Sequence, residues 1–320
     1  MKQGISQLLA FVLMAGFASA QSVVPTADAN KRGLTDKDFP KPIKLADNVY
    51  AVEILPPRGP NAQPDATRVT TNSMVVITTD GVLVADGQGS PAAVNLLMDE
   101  IKKLTDQPIK YVIVCSEHTD HTGGLSAFPS TATFVASPFS KATFETQANA
   151  PNRQPNAPKV VVPSDTVADK KVLKLGSTEI QVLNIGRSHT GGDLVVYLPR
   201  GKVLWMSETF NSNRFPTLRA GFPTEWVKAI DRAQHMDVDY YAGAHGFIDD
   251  AKTMKANLAE YRKALETIMA EVKRLHQPGA DADEAFKQAN FGPYASWTDY
   301  GQQAPVAFKR AWDEIEGKVK

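Results

Sequence analysis

The stretch VIVCSEHTDHTGGL, residues 112–125, sets the narrowest limits on what this chain can become. A run of β-formers ends at Cys115, and His118, Asp120 and His121 follow directly, before Gly123 and Gly124. β-Branched residues favour a pleated strand, so two imidazoles and a carboxylate stand at a strand's mouth. The glycines permit a tight bend close to a ligand. On an extended strand end alternate residues share a face, which would put His118 and Asp120 on one side. Such donors suit a borderline cation such as zinc, at bond lengths of about 2.0–2.2 Å. Taken alone, they read equally well as a hydrogen-bonded histidine cluster.

Two further segments repeat the arrangement. NIGRSHTGGDLVVYLP places His189 after a β-run, before two glycines and an aspartate. VDYYAGAHGFIDD places His245 after another β-run and before Gly246. Four of the six histidines thus stand at strand-to-loop junctions, where scaffolds usually present ligands. The other two read as structural: His235 lies in the helical run TEWVKAIDRAQHM, and His276 closes a helix, where a cation suits the C-terminal dipole.

The rest of the chain supplies the scaffold. Short β-like runs recur, among them VYAVEI, SMVVITT, GVLVADG, IKYVIVC and EIQVLNIG, with Asp80-Gly81 as a hairpin signal. Between GVLVADG and IKYVIVC, Val94, Leu97, Met98, Ile101 and Leu104 follow helical spacing behind Pro91. Hairpins mixed with β-helix-β units give an α/β (α+β) chain whose sheets are covered by helices on their outer faces. Residues 45–250 read as the main domain, and 251–320 as a helical extension docked on it. Residues 21–44 read as a loose lead-in. Residues 1–20 read as a secretory signal: Lys2, an apolar run too short to span a membrane, and Ala18-Ser19-Ala20 before a cut at Gln21. The expected location is therefore periplasmic or secreted, with no membrane contact after cleavage. The lone Cys115 requires no disulfide partner. The 35 basic and 35 acidic residues balance, which gives no electrostatic ground for a nucleic-acid partner. A small-molecule substrate is the expected partner.

The order H-x-D-H-x-G-G, S-H-T-x-G-D, an acidic residue after a β-run, then A-x-H-G resembles the metallo-β-lactamase superfamily over about residues 45–250, with DGVLVADG ahead of the first helix. The resemblance implies a four-layer αββα sandwich with a zinc site at one edge. It implies His118 and His189 in a first metal site, and Asp120, His121 and His245 in a second. Two departures stand out. The family's pattern is H-x-H-x-D-H, and this chain has Ser116 at the first histidine; a hydroxyl is a poor zinc ligand, so the first site is expected to bind weakly. Glu208, in VLWMSETF, stands where an aspartate or cysteine is usual; it can bind or bridge a metal, or be an ordinary surface glutamate. Glu117 is expected to point to the other face. One tightly held Zn2+ and a weaker second are expected, and iron or manganese also suits the donor set.

The implied activity is an exported metal-dependent hydrolase that opens a cyclic amide or ester, a β-lactam or a lactone. Zinc lowers the pKa of the water it holds towards about 7, and Asp120 is the expected catalytic residue, orienting that water. The alternatives are an aryl or phosphoester hydrolase, an Fe(II)-dependent oxygenase, or a metal-binding protein without catalysis. Loops 55–68, with Arg58 and Arg68, and 211–223, with Arg214, Phe215 and Phe222, are expected to flank the cleft.

Overall fold

The computed structural model describes residues 24–57, 63, 65–151 and 159–319. Its first sheet starts as a meander in which β1 (Lys41–Ala46), β2 (Val49–Ile54), β3 (Thr71–Thr78) and β4 (Gly81–Ala85) pair antiparallel in chain order. Helix α1 (Pro91–Leu104) then crosses to β5 (Ile109–Ile113), parallel to β4. α2 (Thr119–Thr122), β6 (Thr133–Ala136), α3 (Pro138–Ala148) and the short β7 (Asp165–Thr166) complete a seven-stranded sheet in sequence order. The second, five-stranded sheet runs β12-β11-β10-β9-β8. Its strands are β8 (Lys170–Leu175), β9 (Thr178–Leu183), β10 (Val195–Leu198), β11 (Val203–Trp205) and, after α4 (Pro223–Gln234), β12 (Tyr240–Ala242). α5 (Ala251–Leu275), α6 (Ala282–Phe286) and α7 (Tyr300–Ile315) end the fold.

Alternation along the strands builds the layers. Ala51, Met74, Leu83, Ala85 and Ile113 turn inward to the second sheet's Ile180, Val182 and Val196. Their neighbours Val52, Val75, Val82, Val84 and Val112 turn outward against Val94, Leu97 and Ile101 of α1. α1 begins at Ser90, whose side chain accepts from the Ala93 N–H, with Pro91 in the first turn. Each of its fully buried aliphatic side chains contributes about 1.5–3 kcal/mol through removal from water. α4 and α5 cover the other sheet, giving the four layers αββα. α5 lies against β12 and α4, so it belongs to the outer helical layer, and the fold continues past residue 250. No described helix is long and apolar enough to cross a membrane.

The N-terminal flank differs from expectation. Residues 24–44 are not a loose lead-in: Thr26, Ala27, Asp28 and Ala29 are buried, and β1 starts before residue 45. The Ala27 N–H donates to Thr298 Oγ1 at 3.0 Å, and Arg32 forms a two-pronged ion pair with Asp249 at 2.8 and 2.9 Å. Polar composition hid these contacts because their partners come from the far end of the chain. The signal reading of residues 1–20 lies outside the described residues.

Candidate metal centre

β5 ends at Ile113, five residues before His118, and residues 119–122 form a single helical turn. The strand-face expectation for His118 and Asp120 therefore fails. His118 caps that turn in an extended conformation, and the helical twist sends Asp120 and His121 to a different set of neighbours. Gly123 and Gly124 make the turn possible: a Cβ on either would fall on the carbonyls of Gly89 and Ser90, where α2 packs against the start of α1.

The remaining donors arrive from the second sheet. Glu208 follows β11, His245 follows β12, and His189 sits in the loop between β9 and β10. Two buried aspartates hold these loop ends. Asp86, at the end of β4, accepts from the Cys115 N–H (2.9 Å), the Trp205 indole (3.2 Å) and the Ser207 hydroxyl (2.5 Å). It thereby ties the strand end that leads to His118 to the one that leads to Glu208. Burial raises its pKa, against the pull of His121 and these hydrogen bonds. Asp193 accepts from Ser188 and Thr190, backbone and hydroxyl alike, at 2.7–3.2 Å and so shapes the loop that presents His189. Burial pushes it up to about 6, with His189 opposing.

All six expected site residues converge, in two groups. One holds His118, His189 and Glu208; the other holds Asp120, His121, His245 and Glu208. In the first, His118 Nδ1 lies 2.9 Å from His189 Nε2 and 3.1 Å from Glu208 Oε2, and His189 Nε2 lies 3.0 Å from Glu208 Oε1. In the second, His245 Nε2 lies 3.2 Å from His121 Nε2, 3.1 Å from Asp120 Oδ2 and 3.5 Å from Glu208 Oε1. Ligands bound tetrahedrally at about 2.0–2.2 Å stand about 3.3–3.6 Å apart. Most of these donors lie a few tenths of an ångström closer, at hydrogen-bond distance, so they are gathered as a set that would spread slightly to hold a cation. The hydrogen bonding points the same way. His245 Nδ1 is 2.9 Å from the Thr70 carbonyl, which can only accept, so Nδ1 carries the proton. His245 Nε2 then faces the Asp120 carboxylate, where a proton on Nε2 or a bound cation in its place can be shared between the two.

Electrostatics agree. Burial disfavours charge at His118 and His245, yet hydrogen bonds to Glu208 and Asp120 lift both to about 9. Burial would raise Glu208, but His189, His121 and His118 hold it well below the usual carboxylate range. Glu208 is 3% exposed, which excludes the surface-glutamate alternative. Burial opposes ionisation of Asp120 too, and His121 and His245 outweigh it.

The expectation that Ser116 leaves the first group with two strong donors is corrected. Glu208, one methylene longer than aspartate, reaches across to His118 and accepts a hydrogen bond from the Ser116 hydroxyl. Glu117 does not point away: it lines the cleft, and its Oε2 accepts from Ser140 (2.9 Å) and Thr190 (3.1 Å). His235 is exposed and His276 caps α5, both remote from either group.

The centre opens into a cleft of about 700 Å³, walled by Thr143 and Gln147 of α3, by Arg214, Thr217 and Arg219, and by Gln302, Gln303 and Val306 of α7. Of the expected flanking residues that are described, only Arg214 lines it. Phe215 and Phe222 are buried, Phe215 against Phe291 and Tyr300. Arg68 is spent on Asp36 and the Pro56 carbonyl, and Arg58 lies outside the described residues. Sequence reading missed the α7 wall, since polar residues on an amphipathic helix read as its solvated face.

Comparison with known proteins agrees with this geometry. The metallo-beta-lactamase superfamily model matches residues 66–269. A metallo-beta-lactamase type 2 of Elizabethkingia meningoseptica is 26% identical over 218 residues, covering 67% of this chain and 80% of that protein. A linear primary-alkylsulfatase of Pseudomonas sp. (strain ATCC 19151) is 22% identical over 266 residues, 69% of this chain and 50% of that protein. Among solved structures, a metallo-beta-lactamase from Pontibacter korlensis superposes with a TM-score of 0.59 at 21% identity, over 71% of this chain and 98% of the other, a likeness of fold. With most of its length matched by the family model and both donor groups in place at the sandwich edge, the chain belongs to the metallo-beta-lactamase superfamily.

Proposed function

We propose that the protein is a metal-dependent hydrolase with a two-ion centre, opening a small cyclic amide or ester, a β-lactam or lactone, that carries an anionic group. The observation that carries this reading is Glu208, whose one carboxylate reaches both donor groups at the floor of an open cleft. His118, His189 and Glu208 would hold one ion, and Asp120, His121, His245 and Glu208 the other. Ions there supply Lewis acidity and make water acidic enough to react near neutral pH. A shared carboxylate favours two comparably held ions over the single tight one expected from Ser116. Zinc fits the nitrogen and oxygen donors, as do iron and manganese.

The chain's own side chains supply position and charge. Asp120 keeps half of its side chain exposed in the cleft, where it can orient a water and take up its proton. Arg219 is exposed and has no ion pair among the described residues, so its charge is available to an anionic substrate, whereas Arg214 is paired with Asp299 at 2.7 Å. Gln302 and Gln303 face the centre from α7 with hydrogen-bonding amides. Export, with cleavage after Ala20, is part of the same reading and rests on the apolar run of residues 8–20; N-terminal sequencing of protein from its native host tests it, and a mature chain retaining Met1 would overturn it.

Metal analysis joined to a substrate panel of lactams, lactones, aryl esters, phosphoesters and alkyl sulfates tests the function. The expected result is about two zinc ions per chain, one for each donor group, and turnover of a lactam or lactone. Iron with oxygen uptake, or metal with no turnover across the panel, would sink it.

A further inference from the structure

Ser116 is fully buried, and its hydroxyl has two contacts: it donates to Glu208 Oε2 and accepts from the His118 N–H at 3.3 Å. Both partners belong to the same donor group. A glutamate side chain has three torsions to settle, and Glu208 must serve His118 through one oxygen and His189 and His245 through the other. Nothing else among the described residues donates a hydroxyl to Oε2. A shorter carboxylate at 208 would fall short of both His118 and Ser116. A larger side chain at 116 would claim the space that the Glu208 carboxylate occupies.

We propose that Ser116 is a positioning residue, and that Ser116 and Glu208 act as one interdependent pair: the small hydroxyl residue makes room for the long carboxylate and fixes it so that it completes both ion sites. The inference rests on the two-ion reading. A hydrogen bond to a charged group contributes about 1.5–3 kcal/mol, so losing it should weaken the His118–His189 site about tenfold to a hundredfold.

The test is zinc titration of the metal-stripped full-length protein by calorimetry, with circular dichroism to confirm folding, for wild type, S116A, S116H, E208D and S116H/E208D. S116A, which removes a single oxygen, should keep one ion at the wild-type affinity and hold the other about tenfold or more weakly. S116H and E208D should each weaken ion binding, and the double variant should bind more tightly than either, because histidine and aspartate together refill the space. Where S116H does not fold, S116A and E208D decide. Wild-type affinities in S116A, or losses that simply add in the double variant, would overturn the pair. A wild type that binds no ion would overturn the two-ion reading with it, whereas two ions held equally by wild type and S116A would remove only the role given to Ser116.

Discussion

Two glutamates are buried, one on β2 and one just after β11, and the fold treats them in opposite ways. Glu53, on β2, is fully buried. Its Oε1 accepts from the Ile248 N–H at 2.6 Å and its Oε2 has no hydrogen-bond partner among the described residues. Burial pushes it up to about 7, against that hydrogen bond and the charge of Lys41. Glu208 is as deeply enclosed, yet three imidazoles keep it ionised. Burial is common to both, so the neighbours decide. A carboxylate stays charged inside a protein only where positive charge is waiting for it, and here that place is the candidate metal centre.

The sharpest way to break this contrast is to neutralise Glu208. Glu208→Gln keeps the shape and removes the charge, leaving His118 and His189 without a strong third ligand. Hydrolytic activity should fall by more than about a hundredfold, above the effect of altering a mere ligand-supporting group, and metal content should fall with it. Full metal content in the variant would show that charge is not what distinguishes this glutamate.

The same neutral replacement at Glu53 should do the reverse. Its folded pKa lies above its unfolded value, so the native state binds the extra proton and stability falls as pH rises from about 4.5 to about 7. The loss amounts to roughly 3 kcal/mol across that window. Glu53→Gln should match wild type at pH 4 and exceed it at pH 8, as read from urea midpoints. A variant less stable than wild type at pH 8 would mean that the carboxylate has a cationic partner after all.

Smaller effects are expected where charge is exposed. Arg219→Ala should raise KM for an anionic substrate by roughly fivefold, the scale of a solvent-screened ion contact, with little change for a neutral one. Equal losses for both substrates would assign Arg219 a structural role. His235→Ala should change neither metal content nor activity, because that imidazole is exposed and lies in neither donor group. Any loss of metal would reopen the sorting of the histidines.

The candidate site was legible in the sequence as an inventory. His118, Asp120, His121, His189 and His245 declare themselves because each follows a β-run, and three of them stand within two residues of a glycine. Interleaved strand and helical runs imply sheets with helices on their outer faces, and the four-layer αββα order is what the family resemblance implies. Asp86 was visible only as part of GVLVADG. Its role appears once the ends of β4, β5 and β11 meet around it.

The sequence by itself determined which residue types lie at which strand ends, the period-2 faces of β2 to β5, the capped start of α1, and Ser116 in place of a histidine. These depend on local backbone preference and polarity, which neighbouring residues carry. The grouping of His118 with His189, and of Asp120 with His121 and His245, is what the family resemblance already implied. Tertiary structure alone decided that Glu208 spans both groups and that α7 walls the cleft. The reason is geometric. A helical turn at 119–122 redirects side chains that a strand would have aligned, and one methylene on Glu208 matters only when two sheets bring their edges within its reach.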